Sequence, residues 1–361
     1  MIDNIVKDIL TVIENGVNDG CTINETLSPV QIKQTQYKLA SVCFSLLNAW
    51  KLKQIIRDFN FSTVLEALQN MREIGVVNEQ IVDSFCNLNG QGKDSIEFLY
   101  NSAIIVNFGE VSIGEIYERT LEYDLHIYDT GIKFEKNKSS RDRAGAYYTP
   151  IEFANISVQK AIDLLIYNNL GIKDFSDNNS VDENQITKVI DLLSKSNIID
   201  FSCGAGYFLL AVINYVKRFI CCTESQKLEL IRNIICHIWG IDVDYIALQI
   251  VKCGLLIESD LSNINRINEH FILGNPLIHV EEEEDEEKRM EIFSSGMIYS
   301  RILGINLYKR LDSIENRFEL IVGNPPWEKV RLEEKKFFST FAPEINNISQ
   351  KKLREQEIEK L

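Results

Sequence analysis

Proline is scarce in this chain: six in 361 residues, and Pro29 alone among the first 140. So little proline leaves long stretches free to run as helix. Histidine is scarcer still, at four, and no two of the eight cysteines form a Cys-x-x-Cys pair. A structural zinc site with its usual ligand spacing is therefore not expected, and no metal is assigned. The scattered, mostly apolar-flanked cysteines read as reduced core residues of a cytoplasmic protein. No run of about 18 apolar residues occurs, which argues against a membrane span. The opening MIDNIVKDILTVIENGV carries acids among its apolar positions, unlike the uninterrupted apolar core of a signal peptide. There is no internal repeat.

Positive charge is also in deficit. The net charge is −15, which taken alone argues against a nucleic-acid binder. Seven of the acids sit in one run, residues 281–287 (EEEEDEE), expected to be a loop, and without them the balance is −8. That is still acidic, so any DNA-gripping surface is expected to be small or to lie outside this chain.

What is present is helical periodicity followed by strand–helix alternation. A length of 361 residues fits two or three domains at roughly 150 residues each. Residues 1–140 read as a helical N-terminal domain. YKLASVCFSLLNAWKLKQII and STVLEALQNMREI place apolar residues three and four apart, and residues 112–126 (SIGEIYERTLEYDLH) are expected to form one more helix. Residues 136–143 read as a boundary loop. A helix is expected over 151–168, and 174–185 reads as a loop. Strands are expected at 198–201, 234–243, 268–273 and 317–322, with helices over 208–218 and 245–259. That alternation predicts an α/β fold with a parallel, doubly wound sheet over 141–345. Residues 346–361 read as a charged helical tail.

Four of these strands end in motifs that can carry chemistry. Asp200-Phe-Ser-Cys203-Gly204-Ala-Gly206 follows the first. Its glycines permit a tight turn and close approach of a ligand to the backbone, and the next helix aims its N-terminus there. The acid at the strand end fits poorly beside a pyrophosphate and suits a cationic amino group. Gly240-Ile-Asp242-Val-Asp244 follows the second strand. Asp242 can accept ribose hydroxyls, and Asp244 suits a helix cap; both acids can equally be caps. Asn275, in Leu273-Gly-Asn-Pro-Leu277, can hydrogen-bond the edge of an adenine, though Asn-Pro is also common turn punctuation.

The sharpest motif is Gly323-Asn324-Pro325-Pro326-Trp327. Two prolines stiffen the turn, so the Asn324 side chain and the Pro325 carbonyl are held outward. Two acceptors on the hydrogens of an exocyclic amine would draw its delocalised lone pair toward a tetrahedral nitrogen. Trp327 adds a flat face on which an extruded base can stack. Ahead of all these lies Arg143-Ala-Gly-Ala-Tyr147-Tyr-Thr149-Pro150, a glycine turn leading into a helix.

In this order, GAYYTP, DFSCGAGYF, GIDVD, GNPL and GNPPW resemble the gamma-ordered amino methyltransferases of DNA, which methylate adenine N6. The upstream Gly114-Glu-Ile-Tyr-Glu118 and the stretch after Trp327 are similar to large single-chain restriction–modification enzymes. The resemblance covers roughly residues 112–345. It implies a Rossmann-like domain using S-adenosyl-L-methionine, with double-stranded DNA as partner. It implies that Tyr147, Thr149 and Pro150 contact the methionine part of the cofactor, and that Asp200, Cys203, Gly204 and Gly206 line its amino-acid end. It assigns ribose to Asp242, the cofactor's adenine to Asn275, and the target base to Asn324, Pro325, Pro326 and Trp327. The chain departs from the family's usual residues at Phe201, Tyr207 and Asn275.

In the family, further strands and a target-recognition domain follow the catalytic motif. The 34 residues after Trp327 are too few for either. The chain is therefore expected to be a fragment, a split subunit completed by a partner chain, or a decayed gene, inactive without the missing part. No nuclease signature of paired acids and lysine stands out in residues 1–140. Two alternatives remain: a non-catalytic cofactor-binding subunit, or an RNA or protein N-methyltransferase. The latter share the Asn/Asp-Pro-Pro-aromatic motif but normally lack the GAYYTP entry, which favours DNA.

Overall fold

The helical periodicity near the N-terminus becomes five helices: α1 (Ile2–Cys21), α2 (Pro29–Ile55), α3 (Val64–Glu73), α4 (Glu79–Cys86) and α5 (Gly90–Ala103). The computed structural model describes residues 2–21, 29–88, 90–103, 111–128, 131–136, 149–177, 181–279, 304–305, 309 and 318–325. In α1, Ile5, Ile9, Val12, Ile13 and Val17 line the inward face, the stripe an amphipathic helix presents to a core. Helix α2 differs, for every residue from 41 to 50 is buried. It is the axle of this region and packs on α1, α3, α4 and α5. Helix α3 starts where Thr63 accepts from the Glu66 amide, and α6 (Ile113–Thr120) where Ser112 accepts from the Glu115 amide.

The helix expected over 112–126 is corrected. Helix α6 stops at Thr120, and β1 (Tyr123–Tyr128) pairs antiparallel with β2 (Gly131–Lys136). Tyr123, Leu125 and, from β2, Phe134 pack against the core. That alternation is a strand's period of two, which six residues next to a true helix do not separate from helical spacing. Helix α1 covers the open side of β2. Asn18 Oδ1 accepts from the Ile132 amide at 2.9 Å and Glu14 Oε1 from the Phe134 amide at 2.7 Å, satisfying edge donors that would otherwise invite pairing.

Beyond the boundary come α7 (Ile151–Leu170), α8 (Glu183–Lys195), β3 (Ile198–Asp200), α9 (Tyr207–Phe219), α10 (Glu224–Ile235), β4 (Ile238–Asp242), α11 (Tyr245–Glu258), α12 (Ile264–His270) and β5 (Phe271–Leu273). Short strands β6 (Asn275–His279), β7 (Gly304–Ile305) and β8 (Leu320–Ile321) follow. The strands are shorter than expected. Residues 234–235 finish α10 because Leu230, Ile231, Ile234 and Ile235 continue one buried helical face. Residues 268–270 likewise finish α12, and β8 keeps two residues of 317–322. Helix α8 enters the stretch expected to be loop, started by a reciprocal capping box between Asp182 and Gln185. Residues 281–287 and 346–361 lie outside the described residues.

The fold is α/β and mostly helical, with a four-stranded parallel sheet ordered β5-β4-β3-β8. The chain runs outward through β3, β4 and β5, then returns to place β8 on the other side of β3. Alternate residues face opposite sides. Ile198, Ile238, Phe271 and Leu320 join the main core. Ile199, Trp239, Ile241 and Ile272 form a smaller cluster with Ile305 on the other face. Helix α11 has its long run from Tyr245 to Cys253 buried and packs directly on α2. Ser45 meets Gln249 at 3.4 Å across that contact, and Asn268 Nδ2 donates to the Ile74 carbonyl at 3.1 Å. Every described residue falls within one unit spanning Met1–Pro325.

The cysteines divide: Cys43, Cys203 and Cys253 are buried as expected, whereas Cys86 and Cys221 are exposed. Among the described residues no helix is long and apolar enough to cross a membrane. No group of three or more His, Cys, Asp or Glu there is placed to hold a metal.

Candidate active site

The C-terminal ends of β3, β4 and β8 converge, and β3 and β8 flank the point where the chain reverses direction across the sheet. In open α/β sheets that crevice is the ligand position. After β3 the chain makes a turn closed by the Gly206 amide donating to the Cys203 carbonyl at 2.8 Å. Gly204 (φ 49°) and Gly206 (φ 87°) are both left-handed, a conformation that favours glycine. Gly206 also abuts α11, since a Cβ there would collide with Val251. Cys203 is buried against Gly240, and its amide donates to the Ile241 carbonyl at 3.0 Å.

Asp242 ties the two loops together. Its Oδ2 accepts from the Gly204 amide at 2.7 Å and its Oδ1 from the Asp244 amide at 2.9 Å. The Val243 backbone also hydrogen-bonds this carboxylate, and the acceptor capacity left over suits a hydroxyl donor. Asp244 caps α11, accepting from the Ile246 and Ala247 amides, as its position after the strand leads one to expect. Asp200 is almost fully buried. Its Oδ1 accepts from the Ser202 amide at 2.9 Å, while Oδ2 has no hydrogen-bond partner among the described residues. Burial, reinforced by the charge of Asp242, pushes the Asp200 pKa up to about 7. Burial and then Asp244 push Asp242 to about 6. Burial first, then the charges of Asp242 and Asp200, hold the Cys203 thiol well above its ordinary value. The rim is thus a buried negative field with one carboxylate oxygen left wanting a donor. A cationic ligand with hydroxyl groups would satisfy it.

The loop after β8 closes the other side. Val322 donates to the Ile199 carbonyl at 3.0 Å, which carries the pairing past the strand. Gly323 (φ 151°) lies so close to Asp200 that any Cβ would collide with its carboxylate. Asn324 Nδ2 donates to Thr149 Oγ1 at 3.1 Å, joining positions 175 residues apart in sequence. Thr149 precedes α7, whose N-cap is Pro150. Asn275 lies at the start of β6, where its Oδ1 accepts from the Leu277 amide at 3.0 Å.

The structure therefore gathers Thr149, Asp200, Cys203, Gly204, Gly206, Asp242 and Asn324 around the strand ends. Tyr147, Pro326 and Trp327 lie outside the described residues. Two residues without a sequence-derived role stand in the site. Gly323 is pressed on Asp200, and its place before Asn324 in the motif was the available signal. Tyr117 of α6 is hydrogen-bonded through its hydroxyl to Asp244. Nothing local in the sequence points there.

Residues 236–357 match a family model described as Eco57I restriction-modification methylase. The match runs from β4 through Asn324, and the resemblance carried by the motifs is borne out over this part of the chain. Two solved structures are similar. One is "ATP-dependent Type ISP restriction-modification enzyme LlaBIII bound to DNA", at TM-score 0.46 and 16% identity, over 92% of this chain and 21% of that one. The other is "Type IIL restriction-modification enzyme MmeI in complex with DNA", at TM-score 0.41 and 13% identity, over 96% of this chain and 46% of that one. The chain thus spans about a fifth of the first and less than half of the second. No curated protein matches.

Proposed function

We propose that this chain carries the cofactor-binding and catalytic part of an adenine-N6 DNA methyltransferase of a restriction–modification system, acting in the cytoplasm. On this reading residues 141–345 are the catalytic domain, built as a doubly wound, Rossmann-like sheet, and residues 1–140 are its largely helical support. S-adenosyl-L-methionine supplies the methyl group, activated on a sulfonium. Its ammonium group would meet the partnerless oxygen of Asp200, its ribose Asp242 and its adenine Asn275. Gly204 and Gly206 keep side chains out of its path, with Cys203 behind them, and Tyr147 and Pro150 lie on the entry side.

The observation that carries the reading is the hydrogen bond from Asn324 to Thr149. It brings the entry motif and the Asn-Pro-Pro-Trp motif to one place, beside the carboxylate that wants a cation. Asn324 and the Pro325 carbonyl would supply the two acceptors for the target amine. Pro326 stiffens the turn. The acceptors hold the two N–H hydrogens as the nitrogen lone pair leaves conjugation, so no charged base is needed for attack. Trp327 supplies the stacking face for a base taken out of the duplex.

The test is mass spectrometry of nucleosides from host DNA, with the gene for this protein intact and with it deleted. N6-methyladenine is the expected product. N4-methylcytosine, or methyl groups found in RNA or protein instead, would overturn the assignment. Asn324→Ala is expected to abolish transfer while cofactor affinity, followed by calorimetry, falls by no more than about tenfold, since on the cofactor side only the neutral bond to Thr149 is lost. Near-normal transfer by that variant would make the turn a structural loop.

A further inference from the structure

Helix α6 is short, lies outside the parallel sheet, and touches both cofactor loops at once. Gly114 faces the glycine turn after β3: a Cβ there would stand 2.9 Å from the Tyr207 hydroxyl oxygen and 3.1 Å from Ala205 Cβ. The Tyr207 hydroxyl hydrogen-bonds Ser112, at the start of α6, and Glu118, near its end. Three residues past Gly114, on the same face of the helix, Tyr117 donates to Asp244 in the loop after β4. Asp244 in turn donates its amide to Asp242, and Asp242 accepts from Gly204. The ring of Tyr117 is buried and held edge-on by Phe44 of α2, centroids 5.1 Å apart. A continuous line of contacts thus runs from the buried middle of helix α2 through Tyr117 to both strand-end loops.

We propose that α6 is a brace that sets the cofactor site, with Tyr117 as a positioning residue. Its hydroxyl fixes Asp244, and through it the carboxylate of Asp242. Gly114 lets the helix seat against Ala205 and Tyr207. Neither residue touches the ligand. The proposal rests on the methyltransferase reading and adds that the helical region does more than support the sheet: it determines cofactor affinity.

The experiment uses the full chain. Tyr117→Phe keeps the ring against Phe44 and removes the hydroxyl. The dissociation constant for S-adenosyl-L-methionine is expected to rise about tenfold, the effect of losing one well-made hydrogen bond to a charged group. Hydrogen exchange gives a readout that needs no ligand. Amides of residues 204–208 and 244–248 should exchange about tenfold faster, while those of Ile199 and Ile241 in the sheet keep their protection. Gly114→Ala should loosen 204–208 more than 244–248. Uniformly faster exchange through the sheet would mean that Tyr117 merely stabilises the fold, and the brace would be wrong. Wild-type affinity and wild-type exchange in both variants would also overturn it, leaving the methyltransferase reading intact. Failure of the unmodified chain to bind S-adenosyl-L-methionine would sink that reading and the brace with it.

Discussion

Two buried carboxylates in this molecule have opposite company. Asp163, between α7 and α9, is complete. Its Oδ1 accepts from the Tyr215 hydroxyl at 2.8 Å and the Ser176 amide at 3.1 Å, and its Oδ2 from the Ser176 hydroxyl at 2.6 Å. Asp200, at the end of β3, is more deeply buried but has one bond on Oδ1 and no partner for Oδ2 among the described residues. An unpaired buried acceptor costs stability until a donor reaches it, and Asp200 is the one such carboxylate among the described residues that stands at the strand ends. Asp163 therefore belongs to the architecture, and on the proposed methyltransferase reading Asp200 belongs to the cofactor site. Burial drives the Asp200 pKa to about 7, the response of a carboxylate whose environment lacks the donors it needs.

The largest expected effect tests the architectural half. Asp163→Ala strands the Tyr215 hydroxyl and the Ser176 pair in a buried setting. Urea unfolding should show a loss of about 2–4 kcal/mol, the range for breaking a buried hydrogen-bonded network. A loss below about 0.5 kcal/mol, as at an ordinary surface site, would remove the contrast. Asp200→Asn should leave stability unchanged or raise it, because the amide keeps an acceptor for Ser202 and no longer has a charge to bury.

The next effect belongs to Asp200 alone. If its free oxygen receives the ammonium group of the cofactor, Asp200→Asn exchanges a charged hydrogen bond for a neutral one. At about 1.5–3 kcal/mol for such a bond, the dissociation constant should rise roughly 10- to 150-fold. Asp163→Ala, assayed where it is folded, should bind as the parent does. Equal losses in both variants would show that the two carboxylates do the same work.

These two sites also mark how far the sequence could be read. Asp244 as a cap, Gly204 and Gly206 as a turn, and the strand before Asn324 follow from local rules, because each depends on residues within one turn or strand. The hairpin at Tyr123–Lys136 did not follow: its alternation is brief and sits against a real helix. Strand β4 is shorter than its apolar run suggests because the isoleucine-rich end of α10 carries the same apolar density as a buried strand. The Asn324–Thr149 bond, the pressure of Gly323 on Asp200 and the reach of Tyr117 to Asp244 are tertiary facts. No periodicity contains them. The missing partner on Asp200 Oδ2 is further from sequence still, since it is defined by what surrounds the group and not by the group itself.

The smallest expected effect is in pH. The folded pKa values of Asp200, about 7, and Asp242, about 6, lie above the ordinary carboxylate value of 3.8. Between these values the folded state holds protons that the unfolded chain has released, so the ligand-free protein should lose stability as pH rises from about 5 to 8. Ligand binding runs the other way. A cation needs the ionised carboxylate, so affinity for S-adenosyl-L-methionine should rise over the same interval, by about 25-fold between pH 5.5 and 7.5 from Asp200. Asp200→Asn should flatten the upper part of both profiles, leaving a weaker slope near pH 6 from Asp242. Asp163→Ala should leave the shape of the binding profile alone, because the carboxylate it removes is remote from the ligand. Calorimetric titrations across this range, paired with thermal unfolding of the ligand-free protein, measure both slopes. Opposite slopes are the signature of a carboxylate held uncomfortable until a cation arrives. Parallel slopes would mean that Asp200 is, like Asp163, an ordinary part of the scaffold.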